Sequence, residues 1–160
     1  MVYVFKKACI KDFDEVFSLY QDVIKNTFTT WGNGYPSKVL IKQDIAQKKL
    51  YVLKDNNKII AVSYLGKNEA EDEAVEVKLT KPICVARICV SPNYQSMGIG
   101  GYFMGLLKEE AKKMGADGMH FHVCTQNPSA MKMYEKVGFK NCGLGKSNYG
   151  YDFYKYEIKF

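Results

Sequence analysis

The stretch NYQSMGIGGYF, Asn93 to Phe103, places three glycines within four positions, Gly98, Gly100 and Gly101. An apolar run, KPICVARICV, leads into it, and a long amphipathic segment follows. Glycine loses the most backbone freedom on folding, so a cluster of glycines implies a turn or a close approach to the backbone. A helix that starts near Gly98 points unpaired N–H groups at whatever lies before it. Its dipole adds about half a positive charge there. The arrangement reads as an anion cradle suited to phosphate. A dinucleotide fingerprint would need a third glycine where Phe103 stands, and a Walker loop would need Gly-Lys-Ser/Thr where GGYF stands. On the glycines alone, a tight turn that binds nothing competes with the cradle.

The flanking segments give the context. YVFKKACI reads as a first strand. DFDEVFSLYQDVIKNTF carries Phe13, Val16, Phe17, Tyr20, Val23 and Ile24 at helical spacing. TTWGNGYPSK is a loop by its Gly, Asn and Pro content, and KVLIKQDIAQKK a second helix. LYVLKDNNKIIAVSYLG supplies two strands joined at Asp55-Asn56-Asn57. The acidic stretch EAEDEAVE, Glu69 to Glu76, is expected to be a solvated hairpin connection. From Gly98 a helix is expected with Ile99, Tyr102, Phe103, Leu106, Leu107, Ala111 and Met114 on one face, ending at Gly115. MHFHVC is a strand. Asn127 and Pro128 open another helix that Gly138 closes. The tail supplies two final strands. Strand, glycine turn, helix, strand, helix is an α/β pattern, and we expect a single domain over 1–160.

Composition narrows the setting. No apolar run approaches the roughly 18 residues of a membrane helix. The N-terminus lacks the ordered zones of a signal peptide. The chain is therefore read as soluble and cytoplasmic. Five cysteines at irregular spacing make a poor disulfide framework, and the lack of a CxxC pair, with only two histidines, argues against a structural zinc site; no metal is expected. The acidic stretch holds five of the seventeen acids, so the remainder carries +11 where the whole chain carries +6. That favours an anionic partner, but no dense basic block points to nucleic acid.

ICVSPNYQSMGIGGYFMGLLKEEAKKMG resembles the central motif of the GNAT N-acetyltransferase superfamily: an apolar strand, x-Pro-x-Tyr, then Arg/Gln-x-x-Gly-x-Gly/Ala opening a helix. Gln95, Gly98 and Gly100 fill it. VCTQNPSAMKMYEKVGF resembles the family's next block through Val123, Asn127, Ala130, Tyr134, Gly138 and Phe139. The resemblance implies an acyl-CoA N-acyltransferase fold: a mixed, mostly antiparallel sheet of about seven strands with helices on both faces, splayed between strands 4 and 5. It implies acetyl-CoA as cosubstrate and direct acetyl transfer to a primary amine, of a small molecule or of a peptide or protein. Its pyrophosphate would sit on Gln95, Ser96, Met97, Gly98, Ile99, Gly100 and Gly101. Its pantetheine arm would meet Ile88, Cys89 and Val90 on one side and Asn127 and Ala130 on the other. The resemblance also allows a homodimer.

The chemistry asks for three more groups. Alkyl amines are mostly protonated near neutrality, with reference pKa values of about 10.4 for lysine and about 8 for an α-amine, so a base must take a proton. A backbone N–H must hold the developing oxyanion, and the resemblance assigns this to Val90. The leaving thiolate needs a proton, and the resemblance assigns Tyr134, which is otherwise an amphipathic core tyrosine. Some members carry a glutamate on the fourth strand; here Cys84 or Arg87 lies near its place. Glu76, His120 and His122 remain as base candidates, the two histidines being expected on opposite faces of their strand. Trp31 and Tyr35 are expected either to wall the acceptor site or to anchor their loop. Two other readings stand beside direct transfer: a covalent step through Cys89 or Cys124, and a non-catalytic acyl-CoA-binding module.

Overall fold

Turn residues end the elements where the sequence places them. The structure, a computed structural model, describes residues 2–68, 76, 78–146 and 152–160. Seven strands are described: β1 (Tyr3–Lys7), β2 (Leu50–Asp55), β3 (Lys58–Gly66), β4 (Pro82–Val90), β5 (Gly118–Cys124), β6 (Lys140–Lys146) and β7 (Asp152–Lys159). They hydrogen-bond in the order β1-β2-β3-β4-β5-β7-β6. Four α-helices accompany them: α1 (Phe13–Asn26), α2 (Lys38–Ala46), α3 (Ile99–Lys113) and α4 (Pro128–Lys136). The β4–β5 pair is parallel; β1–β2, β2–β3, β5–β7 and β6–β7 are antiparallel. The expected hairpin over the acidic stretch lies outside the described residues, apart from Glu76.

Contacts gather the chain into two units, residues 1–65 with 87–103 and residues 66–86 with 104–160. In the first, β2 and β3 are joined by Asn56 and Asn57 at φ 47° and 67°. Two successive left-handed residues make the turn whose twist suits a hairpin, and asparagine tolerates that region. Helix α1 buries Val16, Leu19, Tyr20 and Val23. Ser37 caps α2 by accepting from the Leu40 N–H at 3.0 Å.

In the second unit, Asn127 caps α4 by accepting from the Ala130 N–H at 3.3 Å, with Pro128 in the first turn. Phe121 gathers Tyr134, Phe139 and Tyr156 around it, with ring centroids 4.5, 4.8 and 5.9 Å away. Helix α3 buries Ile99, Phe103, Met104, Leu107 and Ala111. Tyr102 and Met114, expected on that stripe, are 48% and 47% exposed. Met104 sits beside Phe103 and Leu107 on the helical wheel and takes the inward place.

Candidate active site

In the first unit the site begins where β4 ends. Pro92–Tyr94 forms a single 3-10 turn, then Ser96 and Gly98 adopt φ 61° and 80° before α3 starts at Ile99. Alternating left-handed residues ahead of a helix turn successive N–H groups toward one concavity. A Cβ built on Gly98 meets nothing within 4 Å, so the space in front of this backbone is open. The Tyr102 N–H closes the first helical turn onto the Gly98 carbonyl at 3.1 Å, which leaves the N–H groups before it without an intrahelical acceptor. Tyr94 donates to Asp55 Oδ2 at 2.8 Å and ties the turn to the β2–β3 hairpin. Gln95 donates through Nε2 to the Val90 carbonyl at 3.1 Å. The cradle and the strand end are thus one hydrogen-bonded piece. Open space, left-handed turn residues and a helix start together fit a pyrophosphate.

Strand β4 is irregular where it matters. Arg87 has φ 51° in the middle of the strand, a value most side chains avoid. In the second unit, the parallel ladder of β4 with β5 covers Pro82, Ile83 and Cys84 against Gly118, Met119 and His120. The ladder ends there, ahead of Arg87.

Arg87 does not stand in for a catalytic base. Its Nε and Nη2 donate to Asp44 Oδ2 at 3.0 and 2.7 Å. Burial opposes the guanidinium charge, but the Tyr35 hydroxyl and Asp44 outweigh it and hold Arg87 protonated. Burial raises the Asp44 carboxyl above the ordinary carboxylate range, with Arg87 acting against that rise. Trp31 lies edge-on against Tyr20, centroids 5.6 Å apart, and Tyr20 donates to the Arg87 carbonyl at 2.8 Å. Trp31 and Tyr35 therefore converge on Arg87. The sequence reading missed Asp44 and Tyr20. A partner 43 residues away on another element leaves no local periodic signal.

The second unit holds the other expected residues. Tyr134 is 8% exposed on α4, its ring T-shaped against Phe121. His120 is buried and His122 exposed. The expectation that they face opposite sides is wrong. Residues two apart on a strand share a face, and here they stand opposite Glu157 and Lys155 of β7 respectively. His122 stacks on Phe153 at 4.1 Å. Glu76 is ion-paired to Lys155, and its N–H donates to buried Glu157 at 2.6 Å. The five cysteines are unbridged, and burial pushes the Cys89 thiol far up. Among the described residues no cluster of three or more His, Cys, Asp or Glu could hold a metal. No helix among them is long and apolar enough to cross a membrane.

The sequence pattern of the acetyltransferase (GNAT) family matches residues 16–139. The chain belongs to the GNAT acetyltransferase family. Solved structures share the fold. A GNAT-family acetyltransferase from Streptococcus agalactiae has TM-score 0.82 at 18% identity, over 99% of this chain and 95% of that one. The PaiA N-acetyltransferase of Thermoplasma acidophilum, solved with coenzyme A, has TM-score 0.78 at 18% identity over the whole of both chains. The ribosomal-protein-S18-alanine N-acetyltransferase of Escherichia coli has TM-score 0.76 at 18% identity, over 99% and 94%. At such identity the likeness is one of fold. Membership of the family makes the chain an acyltransferase.

Proposed function

We propose that this acyltransferase takes acetyl-CoA as donor and moves its acetyl group directly to a primary amine, with 1–160 acting as one N-acetyltransferase domain. The observation that carries the reading is the Gln95–Gly101 cradle: Gly98 at φ 80° with open space before it, tied through Gln95 to the end of β4. Backbone N–H groups from Gln95 to Gly101 would hold the pyrophosphate. Ile88, Cys89 and Val90 would align the pantetheine arm, with Asn127 and Ala130 as its other contacts. The Asn127 oxygen accepts from the Ala130 N–H, so its amide NH₂ would make that contact. Val90 N–H would stabilise the charge that builds on the reacting carbonyl oxygen. Tyr134 would donate a proton to the departing thiolate, a group of comparable basicity.

Two relatives of the same fold support the ligand and the acceptor class, one solved with coenzyme A and one described as an alanine N-acetyltransferase. Direct transfer is favoured over a Cys89 acyl-enzyme, because a buried thiol with a raised pKa supplies little thiolate. Free thiol released from acetyl-CoA in the presence of pooled amines tests the reading. Amine-dependent release is the expected result. A burst of thiol without amine would indicate a covalent step. Binding of CoA with no release for any amine would leave only a binding module, and the proposed activity would be wrong.

A further inference from the structure

A non-glycine residue held in the left-handed region persists only where its surroundings fix it. Around Arg87 they do so from three directions within one unit. Tyr20 of α1 donates to its carbonyl at 2.8 Å. Asp44 of α2 takes two guanidinium N–H groups on one oxygen. Tyr64 of β3 lies under the guanidinium, 4.7 Å from charge centre to ring centroid. The Tyr35 hydroxyl of the α1–α2 loop adds an electrostatic pull that favours the Arg87 charge. Trp31, in the same loop, rests on Tyr20. The next residues along the strand, Ile88 to Val90, are those proposed to meet the donor.

We propose that Arg87 is a positioning residue that couples the Trp31–Tyr35 loop to the end of β4, so that donor bound along the strand sets the loop that meets the amine. The inference rests on the donor assignment above. Arginine suits the task because its planar fork bonds in several directions at once and stays charged. Its charge is already matched by Asp44, whose side chain is 5% exposed, so it is not a spare cation for an acidic acceptor. A shift of the strand at residue 88 moves the Arg87 carbonyl and with it Tyr20 and Trp31. A shift of the guanidinium changes the electrostatic pull between it and Tyr35. Both routes end on the same loop.

Trp31 is the single tryptophan of the chain, so its fluorescence reads the loop directly. CoA titrated into the native protein should change Trp31 emission with the same midpoint as calorimetric binding. In Asp44→Asn and in Tyr20→Phe, CoA should still bind within about threefold, while the Trp31 response falls by more than half. The amine KM should rise at least fivefold with the acetyl-CoA KM nearly unchanged, and Arg87→Lys should keep more of the response than Arg87→Ala. Should Asp44→Asn fail to fold, Tyr20→Phe carries the test, since it removes one hydroxyl and keeps the ring against Trp31. CoA binding with an unmoved Trp31 signal in the native chain overturns the coupling alone. A full response in the variants, with only a lowered melting temperature, reduces Arg87 to a structural role and also overturns it. Absence of calorimetric CoA binding overturns the donor assignment, and this inference with it.

Discussion

Gly98→Asn separates the two things a glycine does in the cradle. Gly98 stands at φ 80°, and a Cβ there meets no atom within 4 Å. Asparagine is among the few residues that tolerate the left-handed region, so strain should be small. Fewer unfolded conformations offset part of what remains. We therefore expect the melting temperature to stay within about 3 °C, since 1 kcal/mol corresponds to about 2–4 °C for a chain of this size. The amide side chain would occupy the space from which a pyrophosphate reaches the backbone. Each charge-assisted hydrogen bond lost there is worth about 1.5–3 kcal/mol, so loss of one or two gives about a hundredfold weaker CoA.

Thermal shift makes the contrast measurable. Native protein with CoA at a hundredfold excess over its dissociation constant should gain about 2.7 kcal/mol, or about 5–10 °C. At the same CoA concentration, a variant weakened a hundredfold should gain only about 0.4 kcal/mol, or about 1 °C. Gly98→Ala supplies the opposite pattern. It carries the left-handed strain of about 1–2 kcal/mol but adds only one methyl group. It should melt several degrees lower than Gly98→Asn and keep more of the CoA shift. If Gly98→Asn shows the full native shift, the anion does not lie over this backbone and the cradle assignment is refuted.

Tyr134→Phe should lower kcat by about 10²-fold with CoA affinity unchanged, because the hydroxyl acts where thiolate charge develops while the ring keeps its contact with Phe121. Unchanged kcat across the pH range, measured with a good acceptor, would return Tyr134 to the aromatic core. Asp12→Asn should destabilise the fold by about 1–3 kcal/mol at neutral pH. Burial works against the Asp12 charge, but hydrogen bonds from the Cys9 N–H, Lys54 and Lys6 outweigh it and hold the carboxyl well below the ordinary range. With the folded pKa depressed, this stabilisation is present above about pH 4 and disappears as the pH falls through the folded value, so the gap between Asp12→Asn and native should close on acidification. Parallel denaturant midpoints from pH 7 down to pH 2 would contradict this.

How much the sequence shows depends on whether a signal is local. The Asn56-Asn57 turn, the Asn127-Pro128 cap and the Gly115 and Gly138 stops sit in the chain where the backbone needs them, and each recurs in the structure at the expected element end. The glycine turn that opens α3 is legible for the same reason, since its glycines and the helix they open are adjacent. Tyr102 and Met114 were misread because the α3 stripe is wide, and only packing decides which side of it turns inward. The kink at Arg87 leaves no trace, because no glycine marks it and its supports come from residues 20, 44 and 64.

The same distinction bears on the base, for which the sequence offers Glu76, His120 and His122 but no strand carboxylate. Among the described residues, Asp12, Asp44 and Glu157 are buried carboxylates that already accept hydrogen bonds, respectively from two lysines and a backbone N–H, from Arg87, and from the Glu76 N–H. Asp55 accepts from Tyr94 and leaves its other oxygen without a partner, but it stands at the β2–β3 turn and anchors the cradle. Each of these carboxylates carries a structural bond that protonation would weaken. A general base must gain and lose a proton in every cycle without disturbing what holds it. On the proposed function, none of these four buried carboxylates would be free to act as the base, and the amine's proton would leave through Glu76, His120, His122 or water. The burden of catalysis would then fall on what β4 and its turn can preorganise: the proposed oxyanion donor, the proposed phosphate cradle and, through Arg87, the Trp31–Tyr35 loop.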